Sequence, residues 1–408
     1  MRALQTALAT TALVATCGLL SSPATASAAA GGNPFDGPVG GARLDSGPAV
    51  LFDGGAAPAP PPVRAGAWLV ADLDNGEVLA ARAPHARQRP ASTLKTLTAL
   101  VLLPRLAPAD VVVGTDEDAG IEGSKVGIYP GLKYTVNTLF LGLFLNSGND
   151  AVHALARTDE GGVPATVRRM NAEAGRLGAF DTHVVDPTGL DADGQLTSAY
   201  DLALFARAGL QRKDFARYAA TKIAYYPQKT AGTYQISNQN HLLWTYPGAI
   251  GVKTGYTTLA RNTFVGAANR DGHRLVVTLL NSPHGVTKDA ATLLDWAYAN
   301  RTSLHGIGAL VTPDDVARAR SPRPAVSESP NATPRAVQAP SGRKPGLTAG
   351  GPLRVAQTAL ARLPLWAYGV PPLLLVLSWF RPRPKGKRAR TPAPVTVPSR
   401  SGARRRKH

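Results

Sequence analysis

Three short strings along this chain carry side chains that could perform acyl transfer. They are Ser92-Thr93-Leu94-Lys95, Ser147-Gly148-Asn149 and Lys253-Thr254-Gly255. A serine hydroxyl needs a base before it can act as a nucleophile. A lysine can be that base only if burial and a nearby positive charge lower its pKa. The strings therefore predict an active-site serine enzyme in which Lys95 is the base for Ser92.

The other polar residues of these strings suit further steps of the same reaction. Residues three apart on a helix share a face, so Ser92 and Lys95 should lie within hydrogen-bond reach. Lys253 would supply the second positive charge. We expect Ser147 to relay a proton between Lys95 and the leaving group, and Asn149 to position the substrate amide.

The strand expected to end at Gly255 would hold the substrate. An extended peptide can pair with such a strand through its backbone, and the glycine allows a close approach. The backbone N–H groups of Ser92 and Tyr256 would form the oxyanion hole. The predicted structural context of each string is better evidence than the sequence match alone. Ser341-Gly342-Arg343-Lys344 and Ser329-Pro330-Asn331 match the first two strings by chance.

The elements expected from the sequence place the strings at a helix start, a helix break and a strand end. Periodicity and turn residues predict a hairpin over 67–80, helices over 92–103, 134–156 (broken at 146–149), 164–177 and 286–299, and strands over 249–255, 262–269 and 273–280. Strands at both ends with helices between them predict an α+β fold, with helices flanking an antiparallel sheet.

The strong positive charge of the chain belongs to its C-terminal end. The formal net charge is +18 over 408 residues, and eleven lysines and arginines lie in 381–408, where there is no acidic residue. A nucleic-acid-binding protein needs a basic patch on a folded domain. The sequence therefore argues against a nucleic-acid partner.

Two apolar segments predict export and anchoring. Residues 1–30 have a charge at Arg2, an apolar run and small-residue cleavage sites, as a signal peptide does. The only cysteine, Cys17, lies in that run, and a lipoprotein signal is the alternative. A transmembrane helix is predicted over 361–380, because the apolar run from Leu363 to Phe380 would reach roughly 27 Å as a helix. The prolines in this run make a buried or interfacial helix the alternative.

Local amino-acid composition predicts the boundaries of the remaining segments. Residues 31–63 are rich in Gly, Pro and Ala and predict a flexible leader, and 303–360 predict a Pro/Ala-rich linker. The catalytic domain would then occupy 64–302. Because a basic cluster next to a membrane helix stays cytoplasmic, the tail 381–408 should be inside the cell membrane and the catalytic domain outside it.

The runs around the strings resemble one family. Residues 90–95, 146–151, 253–257, 170–190 and 198–203 are similar to the serine-type D-alanyl-D-alanine carboxypeptidases, the low-molecular-mass penicillin-binding proteins. The resemblance covers about 65–299. It implies a β-lactamase/transpeptidase-like fold and, as substrates, peptidoglycan stem peptides that end in D-Ala-D-Ala.

The resemblance also implies a mechanism and its site residues. Ser92 would attack the terminal peptide bond and release D-alanine, and water would clear the acyl-enzyme. β-Lactam antibiotics would acylate the same serine. Lys253, Thr254 and Gly255 would bind the substrate, and neither a cofactor nor a metal is implied.

Three positions depart from the pattern of that family. Arg261 follows Ala260 where the family often has Ala-Gly. The family often has an arginine for the substrate carboxylate near the start of the last helix, where the nearest basic residue here is Lys288, the candidate for that role beside Thr254. Asp186 stands where asparagine is usual. The alternatives are a class A β-lactamase, which would want a glutamate for the deacylating water, a strict transpeptidase, and a catalytically silent, membrane-tethered wall-binding protein.

Overall fold

The strands and helices below are those of a computed structural model, which describes residues 32–45 and 47–321. The strands are β1 Val50–Phe52, β2 Ala67–Asp72, β3 Glu77–Arg82, β4 Val111–Val113, β5 Lys133–Thr135, β6 Ile223–Pro227, β7 Thr233–Ser237, β8 Ala249–Thr257, β9 Arg261–Arg270, β10 His273–Ser282 and β11 Gly308–Ala309. The helices are α1 Lys95–Leu102, α2 Asp116–Gly120, α3 Val136–Leu145, α4 Asn149–Thr158, α5 Gly162–Leu177, α6 Ala199–Leu210, α7 Lys213–Ala220, α8 Leu242–Thr245, α9 Val286–Ala299 and α10 Pro313–Arg320, with 3-10 turns at Ala42–Leu44 and Ala91–Leu94.

A large antiparallel sheet separates two hydrophobic clusters. Its strand order is β1-β3-β2-β10-β9-β8, and β11 also pairs with β3. Along β2, Leu69 and Ala71 belong to the cluster beneath the helical layer, whereas Trp68 and Val70 belong to the cluster shared with α9. Burial on both faces explains why the central strands are nearly continuous apolar runs.

Helix α1 lies at the centre of the helical layer. All eight of its residues are buried, and it packs against α3, α4, α5 and α6. A helix that is buried all round suits the core of a large domain. Because Lys95 is its first residue, burial of the helix fixes a charged side chain inside the protein.

The predicted elements of the catalytic region occur in the predicted order. The hairpin, the strands β8 to β10 and the helix α9 are all present. The predicted helix over 92–103 instead begins as the 3-10 turn Ala91–Leu94 before α1 starts. The helical stretch over 134–156 divides into α3 and α4, and the break lies at Ser147-Gly148-Asn149, the second string (the second motif).

The predicted leader and linker are wrong where they meet the sheet. The leader contains β1, in which Val50 pairs with Arg82. The linker contains β11, in which Gly308 pairs with Val78, and the helix α10. These strands have only three and two residues, so they are too short to show a side-chain period within segments that are otherwise rich in Gly, Pro and Ala.

The other terminal predictions fall outside the described residues. These are the signal peptide (1–30), most of the linker, the transmembrane helix (361–380) and the basic tail (381–408). Within the described ranges, no helix is both long and apolar enough to cross a bilayer.

Candidate active site

The turn that carries Ser92 is held from both sides. Ala91, just before the serine, has a φ of 47°, which side-chain-bearing residues rarely adopt. The hydroxyls of Thr93 and Thr263 both donate to the carbonyl of Pro90, over 2.6 and 2.8 Å. Strained backbone of this kind persists where the surrounding structure imposes it, and it is common at active sites.

Lys95 lies directly behind Ser92. Its side chain is fully buried. The Nζ atom donates to Ser92 Oγ over 2.8 Å, to Asn149 Oδ1 over 2.7 Å and to the Thr188 carbonyl over 2.6 Å. All three donors of the ammonium are therefore used, and one of them points at the serine that the amine would deprotonate.

The second motif lies beside Lys95. Ser147 is buried, has a φ of 57°, and its hydroxyl makes no hydrogen bond within the described residues. Asn149 Nδ2 donates to the Glu122 carbonyl over 2.7 Å, which turns Oδ1 towards Lys95. In this structure Asn149 therefore positions the lysine, while Nδ2 keeps a second N–H, and its predicted role towards a substrate amide stays a prediction.

Asp150 holds the loop that covers this motif. Its buried carboxylate accepts the backbone N–H groups of Val126, Gly127 and Ile128 over 2.8 to 3.0 Å. Such a set of donors stabilises a carboxylate strongly. The loop in turn supplies the Glu122 carbonyl that orients Asn149.

The third motif brings β8 against the serine turn. Lys253 is buried, and its Nζ donates to the Thr254 carbonyl over 2.9 Å. A Cβ at Gly255 would lie 2.7 Å from Ser92 N and 2.9 Å from Thr93 N. Only glycine leaves these N–H groups uncovered. Tyr256 follows with an exposed ring, and its place in the oxyanion hole stays a prediction.

Burial depresses the pKa of both lysines. Desolvation is the largest cause for Lys95, whose pKa lies well below its usual value; the charge of Lys253 lowers it further, while Asp186 and Asp150 oppose the shift. Desolvation alone lowers the pKa of Lys253 to about 7. The shift at Lys95 favours the neutral amine, which is the form that a general base requires.

The segment 186–190 contains a site group that the sequence analysis missed. Thr188 contributes its carbonyl to Lys95, and a backbone atom leaves no trace in residue types. Gly189 packs so closely on the serine turn that a Cβ there would overlap the Ala91 carbonyl oxygen. Apart from the family resemblance, the residue types of this run carry no signal for the site.

Among the described residues, no hydrogen bond joins Lys288 to the other predicted site residues. It lies in the first turn of α9, exposed, and its side chain forms no hydrogen bond or ion pair within the described residues. Its role towards a substrate carboxylate stays a prediction.

We expect Gly189→Ala to lower the free energy of unfolding by about 2–4 kcal/mol. Its φ of 87° favours glycine, and the added Cβ would push 186–190 away from the serine turn. Urea unfolding measures the change. Gly194→Ala is the matched control, because φ is 82° there but the nearest neighbouring atom is 3.7 Å away. Equal losses in the two variants would contradict the close-packing argument.

Comparison with known proteins decides the family. The model of the D-alanyl-D-alanine carboxypeptidase family matches residues 55–284. The chain belongs to this family. DacB2 of Mycobacterium tuberculosis, a D-alanyl-D-alanine carboxypeptidase, is 46% identical over 242 residues, which are 57% of this chain and 81% of DacB2.

Solved structures of family members agree with the fold. The D-alanyl-D-alanine carboxypeptidase from Mycobacterium tuberculosis H37Rv is 42% identical, with a TM-score of 0.61 over 64% of this chain and 100% of that one. A mutant of the Streptomyces K15 DD-transpeptidase is 29% identical, with a TM-score of 0.56 over 59% and 99%. The predicted fold of helices around a sheet, and the predicted function as a peptidase of cell-wall peptidoglycan, are confirmed.

Proposed function

We propose that Ser92 removes the terminal D-alanine from peptidoglycan stem peptides through an acyl-enzyme. The observation that carries this proposal is the 2.8 Å hydrogen bond between Lys95 Nζ and Ser92 Oγ in a site where both lysines are buried. Neutral Lys95 takes the hydroxyl proton as Ser92 Oγ bonds to the carbonyl carbon of the scissile peptide bond. The N–H groups of Ser92 and Tyr256 receive the negative charge that develops on its oxygen.

The second half of the reaction uses the same groups. The tetrahedral intermediate collapses as the C–N bond breaks, and Lys95 returns the proton through Ser147 to the departing amine of D-alanine. Water then attacks the ester on Ser92, with Lys95 as its base, and releases the shortened peptide. Lys253 and Thr254 lie on β8 beside this centre, where they suit the terminal carboxylate.

A covalent labelling experiment tests the nucleophile. The full chain should be labelled by a fluorescent penicillin and should release D-alanine from a peptide ending in D-Ala-D-Ala, whereas Ser92→Ala should do neither. Label that persists in folded Ser92→Ala would refute the assignment. An added amine acceptor distinguishes a strict transpeptidase from a carboxypeptidase. A transpeptidase should form more aminolysis product than hydrolysed peptide. Rapid loss of the label by hydrolysis would favour a β-lactamase.

Replacing Lys288 tests the substrate carboxylate site. If its ammonium pairs with that carboxylate, Lys288→Ala should raise KM about fivefold to tenfold with little change in kcat, the effect of one charge-assisted hydrogen bond. Lys288→Arg should keep most of the affinity. Steady-state kinetics on a D-Ala-D-Ala peptide measure both, and an unchanged KM in Lys288→Ala would remove this residue from the site.

We propose, further, that the catalytic domain works outside a membrane anchored by 361–380, with the tail 381–408 cytoplasmic. The supporting features are the signal-like residues 1–30, the apolar run and the basic residues that follow it. Protease added to intact cells should digest the catalytic domain and spare a tag fused after His408. Protection of both parts, or digestion of both, would refute this arrangement.

A further inference from the structure

A short chain of hydrogen bonds connects Asp186 to the catalytic lysine. Asp186 Oδ1 accepts the Thr188 backbone N–H over 2.8 Å and also the Thr188 hydroxyl. The Thr188 carbonyl accepts from Lys95 Nζ over 2.6 Å. Asp186 therefore positions Thr188, and the Thr188 carbonyl positions Lys95.

The surroundings fix this aspartate in turn. The side chain of Gln195 is buried, and its Oε1 accepts the Asp186 backbone N–H over 2.7 Å. The neighbouring Pro187 carbonyl accepts the Thr98 hydroxyl of α1 over 2.6 Å. The segment that carries Asp186 is thus attached to α1 at two points, the Thr188 carbonyl on Lys95 and the Pro187 carbonyl on Thr98.

The charges around Lys95 give this position an electrostatic consequence. Lys253 on β8 faces it with a like charge, and Asp150 on α4 and Asp186 on 186–190 face it with opposite charges. The carboxylate of Asp150 is occupied by the N–H groups of the covering loop. An asparagine at 186 would keep the hydrogen bond to Thr188 and remove only the charge.

We propose that Asp186 is a positioning residue for Lys95: it fixes the Thr188 carbonyl against Nζ, and its negative charge offsets that of Lys253. This rests on the proposed acylation of Ser92 with Lys95 as base. The sign follows from the reaction. Lys95 acts in its neutral form, and a nearby carboxylate favours the charged form. Asp186 therefore moves the midpoint of the acid limb, in the pH profile of acylation, to higher pH. The neutral amine of Lys95 is then a stronger base.

The pH dependence of acylation tests the charge. We measure the second-order rate constant for labelling of the full chain by a fluorescent penicillin across the acid limb. Asp186→Asn should move the midpoint of that limb down by about one pH unit, so acylation on the limb should rise about tenfold relative to the native chain. Asp191→Asn is the matched control, because this acid of the same loop pairs with Arg89 at 3.7 Å and does not act on Lys95.

A second variant separates the charge from the hydrogen bond. Asp186→Ala should show the same shift and should also lose about tenfold on the plateau, because the Thr188 carbonyl is no longer held. Midpoints unchanged in both variants would overturn the proposal, even if both melt at lower temperature. A shift in Asp191→Asn equal to that in Asp186→Asn would overturn it as well. Absence of labelling in the native chain would instead refute the acyl-enzyme itself.

Discussion

Lys95→Met should lower the rate constant for acylation of Ser92 by penicillin at least about 10⁴-fold. The methionine fills nearly the same volume, but it cannot take the proton that Lys95 Nζ receives from Ser92 Oγ across 2.8 Å. Lys95→Arg should not restore the rate, since a guanidinium stays protonated at any accessible pH. Stopped-flow labelling of the full chain measures these rate constants.

The control for this prediction is a lysine away from the site. Lys213→Met removes an exposed lysine at the start of α7 and should label at the native rate. Circular dichroism should show all three variants folded. Folded Lys95→Met that labels within tenfold of the native rate would mean that another group deprotonates Ser92.

Lys253→Met should make the protein more stable and less active. Burial lowers the pKa of Lys253 to about 7, while the unfolded chain keeps the ordinary value of 10.5. Below about pH 7 the folded state therefore carries the full cost of a buried charge. Between the two pKa values the unfolded state binds more protons, so stability should rise with pH in the native chain.

The methionine variant removes both the cost and this pH dependence. At pH 7 its free energy of unfolding should exceed that of the native chain by on the order of 3 kcal/mol. Acylation should fall about 10²-fold, since the second charge and a substrate contact are lost. Urea unfolding at several pH values tests the first part. A variant that is less stable than the native chain at pH 7, or that keeps its slope with pH, would contradict the buried-charge argument.

The central fold could be predicted because it depends on side-chain patterns. Strands β9 and β10 contain nearly continuous apolar runs, and the turn at 270–272 separates them. Helix α9 matched its predicted range because its apolar face and its flanking glycine are both visible in the sequence. By contrast, β1 and β11 have only three and two residues, too few to show a side-chain period, and they are held by backbone pairing with β3.

The candidate site also contains residues that the sequence predicts and groups that it does not. Residue types and spacing were enough to bring together Ser92, Lys95, Asn149 and Lys253 as candidates. The sequence did not predict the groups that orient them, because these are the carbonyls of Thr188 and Glu122. Nor did it predict that Asn149 would face the lysine, which depends on a loop that closes over it from a distant part of the chain.

The strand order of the sheet also sets a limit on how this protein can be made. The hairpin β2–β3 emerges early in synthesis, but its central neighbour β10 ends only at Ser282, and β11 lies later still. Until then β2 has an unpaired edge in which every residue except Asp72 is apolar, and such an edge is a template for aggregation. Pairings of such long sequence separation form slowly. We therefore expect the nascent chain to be prone to self-association until most of the catalytic region has been synthesised.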